Sequence, residues 1–281
     1  MPAVTIFNES STTLEASEKV ETLRTLALFA DAEYQRIVKC MNSPDFKAKE
    51  AHMRESALAD AGKSKDRDII MACTVTKKQS QIDKDEIDSM NSEKSLFLDL
   101  ALENYAECLC LSDERVSTVF RVISLILENR SADADLERIP SYKFIPVIPQ
   151  LTPHLKTTKD AFQKLISALL IRLAQDHPHH TLPHIFALKF AGLDHEFEKS
   201  VKRPANEGRI TEAGNLIKIL SKGSLLPIIK QMEAVSKAVV QLAYYTNDNN
   251  RQSNVEFKIP DQLLIKKVLK FDKVQVKTKA Y

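Results

Sequence analysis

Glycine is nearly missing from this chain: five in 281 residues, where ordinary usage would supply roughly twenty. Tight β-turns, phosphate-cradling loops and close backbone approaches to ligands rely on glycine's access to positive φ. The five are scattered singly at Gly62, Gly192, Gly208, Gly214 and Gly223, so few such features are expected. No two have the spacing of a P-loop, and no G-x-S-x-G is present. Tryptophan is absent and cysteine scarce. Cys40, Cys73, Cys108 and Cys110 form no disulfide framework, and the last two stand too close for an ordinary bridge. A reducing compartment fits.

Residues 1–9 lack the basic and apolar regions of a signal peptide, and no run of about eighteen apolar residues follows. Those features predict a cytosolic or nuclear protein. A net charge of +2 from 40 basic and 38 acidic residues gives no overall field for nucleic acid or anionic membrane. The local exception is Lys266 to Lys279, six lysines with the single acid Asp272. Lysines also protect exposed strand edges, so a solvated edge is preferred there to a polyanion contact.

What the chain has in abundance is helical periodicity. Between Ser11 and Asn42 apolar residues recur at Val20, Leu23, Leu26, Ala27, Ala30, Tyr34, Ile37, Val38 and Met41, the spacing of one helix face. Ser43-Pro44-Asp45 then supplies an N-cap, a proline at N1 and a first-turn acid for a second helix, reaching Gly62. Lys63 to Lys94 predicts a weak helix broken near Gln81 to Asp83, followed by a stronger one over Ser95 to Leu111. Asp113 caps the next, in which Val116, Val119, Phe120, Ile123 and Leu125 to Leu127 predict a central position in the packing. A polar connection covers Arg130 to Glu137. Then come a proline-interrupted helix to Leu155, a long helix over Lys159 to Gln175, another after Pro178, and helices over Thr211 to Lys222 and Ser224 to Tyr245.

Helices joined by short polar turns predict an all-α fold of helical-repeat type, a TPR- or HEAT-like α-solenoid. The best boundary is the polar run Asn247 to Asn254. Beyond it Phe257, Ile259, Leu269, Phe271, Val274 and Val276 predict two short strands. The expected organisation is an N-terminal segment over 1–19, a helical-repeat scaffold over 20–246, a linker over 247–254 and a β-prone tail over 255–281.

Candidate chemistry fails at each place it could begin. His177-Pro178-His179-His180 with His184 offers the i, i+4 pair His180 and His184, but Glu is missing from between them and Pro183 interrupts the turn. A structural role at a helix junction is the better reading. Cys108 and Cys110 point about 200° apart on a helix, one expected in the core and one at the surface. Asp83, Asp85, Asp88 and Glu93 do not make a calcium loop, because Ile87, Asp88 and Lys94 fall at the fifth, sixth and twelfth positions; a charged solvated segment is expected. No residue is assigned to catalysis, cofactor or metal.

The stretch Asp176-His177-Pro178-His179-His180-Thr181-Leu182, after a long amphipathic helix, resembles the ataxia-telangiectasia-mutated (ATM) kinases. Leu28-Phe29-Ala30-Asp31 with Tyr34-Gln35, Glu103-Asn104-Tyr105-Ala106-Glu107-Cys108-Leu109, and Ile139-Pro140-Ser141-Tyr142-Lys143-Phe144-Ile145-Pro146 fit in the same order, as do Val119-Phe120-Arg121 and Leu127-Glu128-Asn129. The resemblance covers about 20 to 270 and implies the C-terminal part of a FAT domain, a helical scaffold preceding a serine/threonine kinase domain. It implies a nuclear parent kinase, possible as a homodimer, that uses ATP and magnesium and responds to DNA double-strand breaks. Pro183-His184, and the prolines Pro149 and Pro153, depart from the family pattern. The chain contains no D-R-H-x-x-N or D-F-G triplet, so none of the residues of phosphoryl transfer carries over. On this reading the tail would be the start of a kinase N-lobe and the protein partner a kinase domain or other subunit. A free-standing helical adaptor for proteins or peptides is the alternative.

Overall fold

A computed structural model describes residues 2–59, 67–112, 116–130, 135–191, 207–243, 245 and 259–268. Among these residues there is no strand, and the fold is the all-α, helical-repeat type that the periodicity predicts. The helices are α1 Pro2–Met41, α2 Pro44–Ala59, α3 Arg67–Leu111, α4 Val116–Asn129, α5 Ile148–Leu151, α6 Ala161–Asp176, α7 Pro178–Lys189, α8 Glu207–Leu220, α9 Leu226–Ala243 and α10 Leu264–Val268. Two 3-10 segments, Ser141–Val147 and Thr152–His154, flank α5. No helix among the described residues is long and apolar enough to cross a membrane.

The chain forms two compact units, Met1–Thr118 and Val119–Tyr281. This division falls inside the 20–246 span expected to be one scaffold, and α1 runs unbroken across the boundary at residue 19. The 247–254 linker and most of the β-prone tail, including Leu269, Phe271, Val274 and Val276, lie outside the described residues, as does the proposed cap Asp113.

In the first unit α1 and α3 lie antiparallel: Val20 meets Cys108, and Phe29 meets Phe97 edge-on with ring centroids 6.3 Å apart. The contact face of α1 is Ala27, Ala30, Asp31, Tyr34 and Ile37, matched on α3 by Leu98, Ala101, Leu102, Tyr105 and Leu109, all buried. Both sets follow the three-and-four spacing of a single helix face. The alanines are fully buried, which lets the two backbones approach closely. Asn42 stops α1 by turning its side-chain amide onto the Val38 carbonyl, 2.9 Å. Ser43 then caps α2, its hydroxyl accepting from Phe46 N–H at 3.3 Å.

Two expectations for this unit need correcting. No break occurs at Gln81 to Asp83: α3 is continuous for 45 residues. Gln79 and Gln81 each donate an amide N–H to the aspartate four residues on, Asp83 and Asp85, at 2.9 and 2.7 Å, so polar pairs along the helix support the stretch that lacks an apolar stripe. Nor is the acidic segment wholly solvated, since Asp83 is buried while Asp85, Asp88 and Glu93 are exposed.

In the second unit α4 buries Val119, Val122, Ile123, Leu125 and Ile126. It ends at Arg130, whose φ of 50° is left-handed, a conformation costing a non-glycine residue about 1–2 kcal/mol. Two contacts offset that cost. The Arg130 guanidinium pairs with Asp160 at 3.0 Å and lies 5.2 Å from the centroid of the Phe162 ring. Asp160 is also the N-cap of α6, accepting from Gln163 N–H at 2.7 Å. The prolines at 146, 149 and 153 divide the chain from Ser141 to His154 into short 3-10 and α turns. Each turn still presents an apolar side: Phe144, Val147, Ile148, Leu151 and Leu155 are fully buried, worth about 1.5–3 kcal/mol apiece for the larger side chains.

Candidate functional site

Four of the family-like segments come together in pairs, one pair in each compact unit. In the first unit Tyr105 on α3 donates its hydroxyl to Asp31 Oδ2 on α1 at 3.0 Å, across 74 residues of sequence. Gln35, one turn along α1, donates to the other carboxylate oxygen at 3.1 Å. Asp31 and Tyr105 are 6% and 5% exposed, so this polar contact sits within the apolar seam. A buried carboxylate is tolerable only when its oxygens are bonded, which ties the register of α1 to that of α3.

In the second unit His177 is the junction residue. It closes α6, donating its backbone N–H to the Leu173 carbonyl at 2.7 Å, and it opens α7. There the His177 carbonyl accepts from His180 N–H, Thr181 N–H and the Thr181 hydroxyl at 3.1, 3.1 and 3.0 Å. Pro178 occupies N1, where the missing N–H costs nothing. The buried imidazole Nε2 shares a hydrogen bond of 3.1 Å with Ser141 Oγ, so the Asp176–Leu182 motif and the Ile139–Pro146 motif meet at this point.

The remainder of the motif divides by face. Pro178, Thr181 and Leu182 are buried, Asp176 is half-buried, and His179 and His180 are exposed. His184 is half-buried, and Pro183 lies within a continuous α7 rather than breaking it. Among the described residues no group of three or more His, Cys, Asp or Glu side chains is placed to hold a metal ion. Cys108 is buried and Cys110 half-buried.

Two further residues hold the loops around this joint, and sequence reasoning did not single them out. Arg172 on α6 donates through Nη1 to the Leu136 carbonyl at 3.0 Å and through Nη2 to the Ile139 carbonyl at 2.7 Å. Gln163 donates Nε2–H to the His154 carbonyl at 2.9 Å and accepts from Lys156 N–H at 2.8 Å. Both partners are main chain 7 to 36 residues away, so no local pattern announces them. Nearby, burial and then the positive charges of Arg209, Lys156 and Arg130 hold the His154 imidazole below its ordinary pKa. These contacts assemble rigid joints between helices.

No protein-family model matches the chain. Among characterised proteins it is 29% identical over 287 aligned residues to the serine-protein kinase ATM of Sus scrofa, covering 92% of this chain and 9% of the pig protein. It is 26% identical to the Drosophila melanogaster serine/threonine kinase ATM over 85% of this chain, and 24% identical to the Cryptococcus neoformans serine/threonine kinase TEL1 over 91%. The chain therefore spans about 9% of the length of these relatives. In fold it matches the FAT and kinase domain of CtTel1 with a TM-score of 0.63 at 22% identity, covering 83% of this chain and 15% of that one. A symmetric butterfly dimer of the Tel1 kinase gives a TM-score of 0.67 at 18% identity over 83% of this chain and 10% of that one. In sequence and in fold the chain is similar to an all-α segment of the ATM and Tel1 serine/threonine kinases, the family its motifs resemble.

Proposed function

We propose that this chain acts as a non-catalytic, FAT-type helical scaffold of an ATM-like serine/threonine protein kinase, positioning or regulating the kinase domain in nuclear signalling and repair of DNA double-strand breaks. One observation carries the reading: the likeness extends along 92% of the chain while touching only 9% of the pig kinase, and within it the family-like segments pair through buried hydrogen bonds. A segment built this way holds its own geometry and offers a helical surface to a neighbour. ATP and magnesium belong to the partner catalytic domain, because these 281 residues contain no phosphate-binding glycine loop, no D-R-H-x-x-N and no D-F-G. The dimeric Tel1 structures support homodimerisation of the parent kinase rather than an activity of this segment.

The test combines the purified chain with an ATM-like catalytic polypeptide. The scaffold reading expects no phosphoryl transfer to a serine peptide by the chain alone, co-elution of the two polypeptides, and a changed kcat/KM in the mixture. Phosphoryl transfer by the chain alone, or recovery of short peptide ligands with no affinity for the catalytic polypeptide, would reject it, the second outcome favouring a free-standing adaptor.

A further inference from the structure

The second unit leaves an apolar groove open between α7, from His179 onward, and the length of α9. Its volume is about 730 Å³, and its floor is formed by Phe186, Phe190, Ile228, Met232, Val235 and Val239. On α9 the residues Ile228, Met232, Val235 and Val239 repeat at intervals of four, three and four, a stripe about three turns long. Val235 and Val239 are 36% and 51% exposed, and the buried residues of α9 are Ile229 and Ala238. This helix therefore has a second apolar face that the described residues do not cover.

Beside the groove, Lys189 and Lys237 lie over the ring of Phe190, one of its lining residues. The lysines of α7 and α9 are Lys189, Lys230 and Lys237 and their single acid is Glu233; Lys230 falls on the side of α9 away from the stripe. Glu233 is already engaged by two of these lysines, accepting from Lys189 Nζ at 2.9 Å and pairing with Lys237 Nζ at 3.2 Å. Burial raises its pKa, but the hydrogen bonds and charges of Lys189 and Lys237 outweigh that and hold it below its ordinary range. The same two ammonium groups stand 5.4 and 5.9 Å from the centroid of the Phe190 ring, which stacks on Phe186 at 5.7 Å. Within the groove, Gln231 Oε1 is buried and accepts no hydrogen bond. The site offers a three-turn apolar stripe beside two lysines that share one carboxylate, a surplus of one positive charge.

We propose that this groove docks an acidic amphipathic α-helix, which lays a row of apolar side chains against Val235, Val239 and Phe186 and sets carboxylates against Lys189 and Lys237. The mode is a helix in a groove, read through anchors at i, i+4 and i+7. Charge complementarity beside the groove selects the acidic partner and accelerates its encounter.

The experiment uses the full chain and fluorescein-labelled helical peptides of about sixteen residues, with leucine on one face and either glutamate or lysine on the others, followed by fluorescence anisotropy. The glutamate peptide is expected to bind about tenfold more tightly than the lysine peptide. Val239→Asp, at an exposed position, should weaken binding by about tenfold or more while leaving the circular-dichroism melt unchanged. Lys189→Gln combined with Lys237→Gln should bring the preference for glutamate over lysine close to one. Equal binding of both peptides, binding unaffected by Val239→Asp, or no binding at all would overturn the proposal. So would two other results: uptake of a small apolar dye that the peptide cannot displace, and self-association of the chain that Val239→Asp abolishes.

Discussion

Tyr105→Phe removes one hydroxyl from the middle of the α1 to α3 contact and keeps the ring in place. That hydroxyl donates to Asp31 Oδ2 at 3.0 Å between two residues at most 6% exposed. A hydrogen bond to a charged acceptor is worth about 1.5–3 kcal/mol and one between neutral groups about 1 kcal/mol. With an ionised Asp31 the expected loss is about 2 kcal/mol. Asp31→Ala removes the acceptor of both Tyr105 and Gln35 and should cost more. In the double variant the two losses should fall short of their sum by about 1–2 kcal/mol, the coupling typical of groups in direct contact. Because the chain has two compact units, a single unfolding midpoint would mix them. Hydrogen exchange at the amides of Ala30 and Ala101, both fully buried, reports the first unit alone. Additivity within about 0.3 kcal/mol, or equal loss of protection in both units, would refute the view that this bond ties α1 to α3.

Other outcomes follow from contacts in the second unit. Arg130→Gly relieves the left-handed backbone while losing the Asp160 and Phe162 contacts, whereas Arg130→Ala loses the contacts and keeps the strain; chemical denaturation should find the glycine variant more stable by about 1 kcal/mol. Phe144→Ala, at a fully buried ring, should cost about 3–5 kcal/mol, seen as an earlier urea transition of this unit. Glu233 has a depressed folded pKa relative to its ordinary 4.5. Its contribution is therefore full above that value and is lost as pH falls through the lower folded value. A carboxyl carbon NMR titration should place its midpoint below 4.5 and move it upward in Lys189→Met. Arg172→Lys should fail to restore the Arg172→Met loss of about 2 kcal/mol, because an ammonium cannot span two carbonyls as a planar guanidinium does.

Local chemistry accounts for what was readable in advance. The stop at Asn42, the Ser43 cap and the proline-divided turns from Ser141 to His154 depend on neighbours a few residues apart, and the structure has them where the residue types require. The pairing of Asp31 with Tyr105 and of Ser141 with His177 spans 74 and 36 residues. The motifs flagged these residues, but no periodicity could say which would meet. The continuity of α3 was misread for a related reason. Glutamine and aspartate spaced four apart support a helix by side-chain pairing, which leaves no apolar signature. The groove on α9 was hidden because a valine that packs and a valine that waits for a partner look alike in sequence.

Arg172 and Gln163 bind main-chain carbonyls and an N–H rather than side chains. A peptide group cannot mutate. The loops they hold can therefore change their exposed residues without disturbing the clamp, and a fold can persist while identity drifts below 30%. The converse is that loss of Arg172 has no genetic remedy at its partners, so this position should show little covariation with any other, in contrast to Asp31 and Tyr105, where a change in one side chain can be answered by a change in the other.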